Sequence, residues 1–203
     1  MTASEPGSPD PATSPGRLLF ARDPEALASF YDEYAGKVRE YCVLACRAPL
    51  VEEATFAAFI DFLGRLTEAG EGADLDDLLR KATRSAAAGR AEVRSEVREV
   101  VVPSRHRRGG RKHASPSGPG PVCQAMPELL AAYANGELAG HEELDDHLAG
   151  CSVCRTTTTR FRRAEAAFTR EASQSPDEEI RRVWLEVAVR GAPLNEAPAN
   201  EHA

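Results

Sequence analysis

Residues 123–155 read CQAMPELLAAYANGELAGHEELDDHLAGCSVCR, a stretch that places three cysteines and one histidine at spacings typical of metal ligands. Three residues separate His147 from Cys151, so both side chains share one face of a helix, and two residues separate Cys151 from Cys154. Cys123 lies on a separate segment, with 23 residues between it and His147. Three thiolates and one imidazole form the closed tetrahedral donor set of structural Zn²⁺. We therefore predict Cys123, His147, Cys151 and Cys154 as the ligands of a structural zinc ion.

Other kinds of cysteine site fit this stretch less well. A catalytic zinc keeps an open position, whereas the fourth protein donor closes this one. A redox-active Cys-x-x-Cys of the thioredoxin type requires a βαβ pattern, which the sequence lacks. A resting disulfide is disfavoured in a cytosolic chain, and residues 1–17 have neither the basic cluster nor the apolar stretch of a signal peptide. His141, six residues before His147, points to another side of the helix, and we expect it on the surface.

Short helices are predicted on both sides of the ligands. The helices between them span residues 126–134 and 141–148, and a unit this small needs the metal to fold. A further helix is expected at 160–172, preceded by a fraying threonine run at 156–159, and another begins at the capping box of residues 175–178. The apolar faces of these last two helices suit either a protein partner or the chain's own core. They carry Phe161, Phe168, Ile180, Val183, Trp184 and Val187.

This part of the chain resembles the zinc-binding anti-sigma domain. The resemblance rests on the cysteine that opens a helix, on the turn YANGEL at 133–138, and on the final HLAGCSVC at 147–154. The four predicted ligands fall on the four ligand positions of that family without a gap. The resemblance implies that the helices wrap around a sigma factor, and that in some members oxidation expels the metal and releases the sigma factor.

The N-terminal half also predicts helices. Asp23-Pro24 suits the start of the first, whose apolar face includes Tyr31 and Val38. A second is expected at about 51–66, and a third from 74 through 98. Cys42 and Cys46 lie among apolar neighbours, and we expect them to be buried small hydrophobes instead of metal or redox groups. With no strand-like alternation, the fold class is predicted as all-α.

The three N-terminal helices resemble region 2 of the extracytoplasmic-function sigma factors. The resemblance rests on FYDEYAGKVREY (30–41), VEEATFAAFIDFL (51–63) and LLRKATRSAAAGRAEVR (78–94). It implies a three-helix domain that binds RNA polymerase core. The chain departs from the family at the polar positions that read promoter DNA, since Ser85 and Gly89 stand where the family has asparagine and aspartate. An unrelated three-helix domain is the alternative.

Composition and charge divide the chain into five segments. Residues 1–21 and 191–203 are expected to be disordered, 22–100 and 123–190 to form the two helical domains, and 101–122 to form a linker rich in Pro, Gly and Ser. The net charge of −7 disfavours a chain that coats nucleic acid. The linker is basic, and it is either a solvated tether or a weak contact for nucleic acid or polymerase. Its charges are Arg105, Arg107, Arg108, Arg111 and Lys112.

Together these features predict a regulator of transcription that is not an enzyme. No nucleophile–base pair, phosphate-binding glycine loop or carboxylate pair is recognisable. We expect a cytoplasmic protein without a membrane segment, in which the zinc-binding half contacts a sigma factor, RNA polymerase core or the chain's own sigma-like half. The alternative is an atypical sigma factor that binds DNA and carries a zinc-stabilised extension.

Overall fold

The computed structural model describes residues 14–91, 123, 126–170 and 177–191. The all-α prediction is confirmed, since helices and no strands occur within these ranges. The helices are α1 (Pro15–Phe20), α2 (Pro24–Ala45), α3 (Val51–Ala69), α4 (Leu75–Ala88), α5 (Pro127–Ala134), α6 (Glu142–Gly150), α7 (Ser152–Phe168) and α8 (Glu178–Arg190), with a 3₁₀ turn at Ala48–Leu50 between α2 and α3. Of the helices described, none has the length and apolar character needed to cross a membrane.

Several predicted segments fall wholly or partly outside this description. The linker at 101–122, with its five basic side chains, lies outside the described residues, and so do 1–13 and 192–203. Residues 15–20 were predicted as disordered but form α1. Ser14 caps this helix by accepting a hydrogen bond from the Arg17 backbone N–H, and Leu19 is buried in the core. Gly16 lies so close to the carbonyl oxygen of Glu71 that a Cβ would approach it to 2.6 Å.

α2 and α4 begin where short acidic side chains predict them to begin. The Asp23 carboxylate accepts hydrogen bonds from the backbone N–H groups of Glu25 and Ala26, at 3.1 and 2.9 Å, and thereby caps α2. Asp74 caps α4 in the same way. α3 runs to Ala69, three residues past the predicted end, whereas α4 stops at Ala88. The predicted continuation of α4 is wrong at Gly89 and Arg90, which form a turn.

The threonine run at 156–159 does not fray, because it lies inside α7. Each of the four hydroxyls donates to the backbone carbonyl four residues earlier, at 2.9 to 3.1 Å. Thr157 and Thr158 are also buried. Side-chain bonding and tertiary packing here outweigh the low helix propensity of threonine, so α7 begins eight residues before its predicted start at 160.

Both halves of the chain contribute to one hydrophobic core. α7 packs along α2 and α5, while α8 packs on α2 and α3. Trp184 of α8 is fully buried, and its ring stacks on Tyr31 with centroids 5.1 Å apart. The ring of Phe59 in α3 packs edge-to-face with the same indole, with centroids 5.4 Å apart. Cys42 and Cys46 are buried in this core, as predicted.

Candidate metal centre

The four predicted ligands come together at one point of the fold. His147 lies in the last turn of α6, and Cys154 lies in the first turn of α7. Cys151 is the residue between these helices, and its backbone N–H donates to the carbonyl of His147 at 2.8 Å. Cys123 approaches from the segment before α5. The helix–corner–helix formed by residues 142–168 thus supplies three donors, and the fourth comes from an earlier part of the chain.

The distances between the donor atoms are close to those of a metal site with tetrahedral coordination. All four lie within 4.8 Å of one another. The Sγ atoms of Cys123 and Cys151 are 3.8 Å apart, and Nε2 of His147 is 3.9 Å from Sγ of Cys123 and 3.2 Å from Sγ of Cys154. Zinc bond lengths of about 2.3 Å to sulfur and about 2.0–2.1 Å to nitrogen give tetrahedron edges of about 3.8 Å between sulfurs and about 3.6 Å between sulfur and nitrogen. The cluster could therefore bind a metal ion with only small side-chain adjustments.

Burial and hydrogen bonding shift the thiol pKa values of Cys154 and Cys151 in opposite directions. Cys154 is fully buried, and desolvation, followed by hydrogen bonds to Cys151 and Cys123, raises its pKa well above the usual thiol value. Cys151 is half-buried, and desolvation by itself raises its pKa. The net shift of this pKa is downward, because its sulfur accepts hydrogen bonds from the backbone N–H groups of Cys154 and Val153 and from the neighbouring thiols. A bound cation deprotonates coordinating thiols, so metal binding would release protons here.

The peptide around the ligands is fixed by one arginine and a small apolar patch. The guanidinium of Arg155 donates to the carbonyls of Leu148 and Ala149, at 2.9 and 2.8 Å. It thereby caps the C-terminal end of α6 and ties that end to α7. Leu144 and Leu148 are the buried side chains of α6. His141, by contrast, is an exposed residue just before α6 and does not belong to the cluster, as predicted.

The side chains predicted as a partner surface divide into buried and accessible groups. Phe161, Phe168 and Trp184 are buried against the chain's own helices. Ile180 and Val187 are half-buried, and Val183 is exposed over 39% of its surface.

Polar contacts between the two halves had no counterpart among the predicted residues. Arg84 of α4 donates through Nε to Glu165 of α7 at 2.9 Å, and through Nη1 to Glu137 at 2.8 Å. Tyr41 of α2 donates its hydroxyl to the same Glu165 carboxylate at 3.0 Å. Burial is the largest cause, and the negative charge of Glu165 the next, of a raised pKa of Tyr41, so the phenol stays neutral. Arg84 and Glu165 are 81 positions apart, and no local sequence pattern links them.

A second ion pair joins the far end of the chain to α2. Both oxygens of Asp32 accept from the guanidinium of Arg181, at 2.6 and 2.8 Å. This hydrogen bonding, opposed by partial desolvation, lowers the pKa of Asp32. The pair lies in the same interface of α2 and α8 in which Trp184 stacks on Tyr31.

Comparisons with protein-family models, with curated proteins and with solved structures find no match.

Proposed function

We propose that this protein is a cytoplasmic transcription regulator in which a zinc-binding, anti-sigma-like half covers the chain's own sigma-like half. The observation that carries the proposal is the shared core, in which α7 and α8 of the metal-binding half pack on α2 and α3 of the N-terminal half. A sigma-like domain needs a free surface to bind polymerase. Helices that occupy part of that surface would keep it inactive.

The metal in this proposal is zinc. The Cys₃His donor set is soft and tetrahedral, which favours zinc over the oxygen-loving magnesium and calcium ions. The ion would hold Cys123 against the corner at Cys151 and would fix the direction in which α7 leaves that corner. Its role is structural, because four protein donors leave no position for a substrate.

The covering contact combines apolar burial with paired charge. Trp184 is fully buried between Tyr31 and Phe59, and aromatic pairs of this geometry contribute about 0.5–1.5 kcal/mol each beyond area burial. Arg84 and Glu165 are exposed over only 11% and 14% of their side chains, so this charged pair is largely removed from water. Breaking such a pair is costly, because one charge is left without its partner. The interface is thus stable at rest and opens only if a signal weakens it.

A redox signal at the metal site is part of the proposal. The Sγ atoms of Cys123 and Cys151 are 3.8 Å apart, so they can join as a disulfide with little movement of the chain. A peroxide would be the oxidant: it takes the two electrons and the two thiol protons and is reduced to water. That disulfide would remove two of the four donors and release the metal. Zinc release and thiol loss, followed in parallel during mild peroxide treatment, would test this step. Oxidation of the cysteines with the metal retained would contradict it.

The covering role is tested with polymerase and variants of the full-length chain. Affinity for bacterial core RNA polymerase is measured for the wild type and for Arg181→Glu, which replaces attraction to Asp32 by repulsion. We expect the variant to bind more tightly, and the double variant Arg181→Glu/Asp32→Arg to return toward the wild type. Arg182→Glu is the matched control, because Arg182 pairs only with Glu179 of its own helix among the described residues. Equal affinities for all four proteins would refute the covering role.

A further inference from the structure

A cleft opens where the C-terminal end of α2 faces the N-terminal half of α7. Its volume is about 670 Å³, within the range of roughly 300–1,000 Å³ typical of small-molecule sites. Val43, Leu44 and Pro49 supply an apolar lining, and Arg47, Arg160 and Arg163 supply the charge. No Asp or Glu is among the described residues that line the cleft. It shares no residue with the metal cluster.

The charge of this cleft is opposite to that of the protein. The whole chain carries a formal charge of −7, whereas the charged side chains that line the cleft are all arginines. Elsewhere in the described residues arginines commonly face carboxylates, as Arg84 faces Glu165 and Arg181 faces Asp32. Arg160 and Arg163 form no ion pair with a carboxylate of the described residues, and two such guanidinium groups in a concave, partly apolar surface favour an anionic ligand.

Arg160 is held in place before any ligand arrives. Its Nε donates to the carbonyl of Leu44 at 3.2 Å, and its Nη2 donates to the carbonyl of Cys46 at 3.1 Å. These carbonyls lie at the C-terminal end of α2, where a positive charge is favoured. A guanidinium has five N–H donors, so the two bonds fix the group and leave others for a ligand.

Arg163 supplies the more adaptable charge. It follows Arg160 by three positions in α7, which places both side chains on one side of the helix. Arg163 is exposed and forms no hydrogen bond or ion pair with another residue of the described chain. One rigid and one adaptable arginine can together clamp an oxyanion, since guanidinium groups bind phosphate oxygens in a bidentate manner.

We propose that this cleft binds a small organic phosphate, with Arg160 and Arg163 on the phosphate and the apolar lining on the organic part. A phosphate monoester carries a charge close to −2 at neutral pH, which suits the cluster of arginines better than a single carboxylate does. The concave shape and limited volume favour a compact ligand over an extended nucleic-acid strand. This site goes beyond the proposed transcriptional role and does not depend on it.

Ligand binding would also stabilise the packing of the two halves. The cleft is formed by residues 43–49 on one side and by residues 156–163 on the other, so a bound phosphate bridges the N-terminal helices and α7. A ligand that binds only the folded chain raises its stability by mass action. A shift of the thermal midpoint therefore reports binding independently of calorimetry.

The test uses isothermal titration calorimetry on the purified full-length protein with three probes: AMP, glucose 6-phosphate and inorganic phosphate. We expect saturable one-to-one binding of at least one organic phosphate, more tightly than inorganic phosphate, with a matching rise of the thermal midpoint. Arg163→Gln should weaken binding roughly tenfold or more, since hydrogen bonds to charged groups are strong. Arg170→Gln is the matched control, because it removes the same charge at the end of α7, away from the cleft residues.

Several results would overturn the proposal. They are absence of binding by all three probes at millimolar concentration, equal affinity for inorganic and organic phosphate, and equal weakening by the two arginine substitutions. Competition by a short single-stranded oligonucleotide that binds more tightly than AMP and depends on Arg163 would assign the cleft to nucleic acid instead. Arg163 is exposed, so its variant should fold normally, and a far-UV circular dichroism spectrum checks this.

Discussion

Replacing Trp184 by alanine is the most direct test of the shared core. The indole has no exposed surface, and its ring lies 5.1 Å from Tyr31 and 5.4 Å from Phe59, measured between centroids. Truncating a buried aromatic residue to alanine costs about 3–5 kcal/mol. The indole Nε1 has no hydrogen-bond partner in the described chain, so the loss comes from apolar packing alone. We expect Trp184→Ala to lower the free energy of unfolding by about 4 kcal/mol.

Urea denaturation, monitored by far-UV circular dichroism, measures this change. Tryptophan fluorescence cannot be used, because the variant lacks the chain's only tryptophan. For a protein of this length each kcal/mol shifts the thermal midpoint by roughly 2–4 °C, so the midpoint should fall by roughly 10 °C. Val183→Ala is the matched control. It is the neighbouring residue of α8, is 39% exposed, and should cost less than about 1 kcal/mol.

The reasoning fails if Trp184→Ala and Val183→Ala unfold with the same midpoint. That result would mean that α8 contributes little to the stability of α2 and α3, and that the stacking of Trp184 on Tyr31 does not persist in solution. If the alanine variant does not fold, Trp184→Phe supplies a milder truncation. It retains an aromatic ring between Tyr31 and Phe59, so its midpoint should lie below those of the wild type and Val183→Ala and should still be measurable.

Three further predictions concern the metal site, the polar interface and the buried Tyr31. Cys151→Ser should abolish stoichiometric zinc binding, measured by elemental analysis, whereas His141→Ala should retain it because His141 lies outside the cluster. Glu165→Ala should cost about 3 kcal/mol in urea denaturation, since it removes the buried carboxylate partner of Arg84 and leaves only the exposed Glu137, and Glu165→Gln should cost less. Burial, followed by the charge of Glu52, raises the pKa of Tyr31 to about 12. The unfolded phenol, with a pKa of about 10, therefore ionises first, and stability should fall as the pH rises from about 10 toward 12; Tyr31→Phe should reduce that fall.

The clustering of the four candidate ligands and most helices could be predicted from the sequence because their signals are local. His147, Cys151 and Cys154 follow one another at steps of four and three positions, and this spacing constrains the geometry before any tertiary contact is known. Asp23 and Asp74 each precede a helix whose first N–H groups they cap. The error at Thr157 and Thr158 arose because helix propensity is a weak preference, and the burial of both side chains in α7 outweighs it.

The packing of one half on the other could not be predicted because its contacts are distant in sequence. The Asp32–Arg181 pair spans 149 positions, and nothing near either residue marks it as paired. The amphipathic face of α8 is recognisable in the sequence, but a face of this kind suits a partner protein as well as the chain's own core. Only the fold shows that Trp184 lies against Tyr31.

The metal cluster and the interface are mechanically joined through α7. Cys154 is a predicted ligand in the first turn of this helix and is also fully buried in the core, while Glu165, three turns later, accepts hydrogen bonds from Arg84 and Tyr41. α6, in contrast, buries only Leu144 and Leu148 among its nine residues, so it has little apolar packing of its own. Loss of the metal should therefore weaken α6 first, because packing on α2 still holds α7 in place. Under the proposed function, a signal that releases the metal would also have to displace α7 to expose the N-terminal half, and the Glu165 contacts would then be the second barrier to opening.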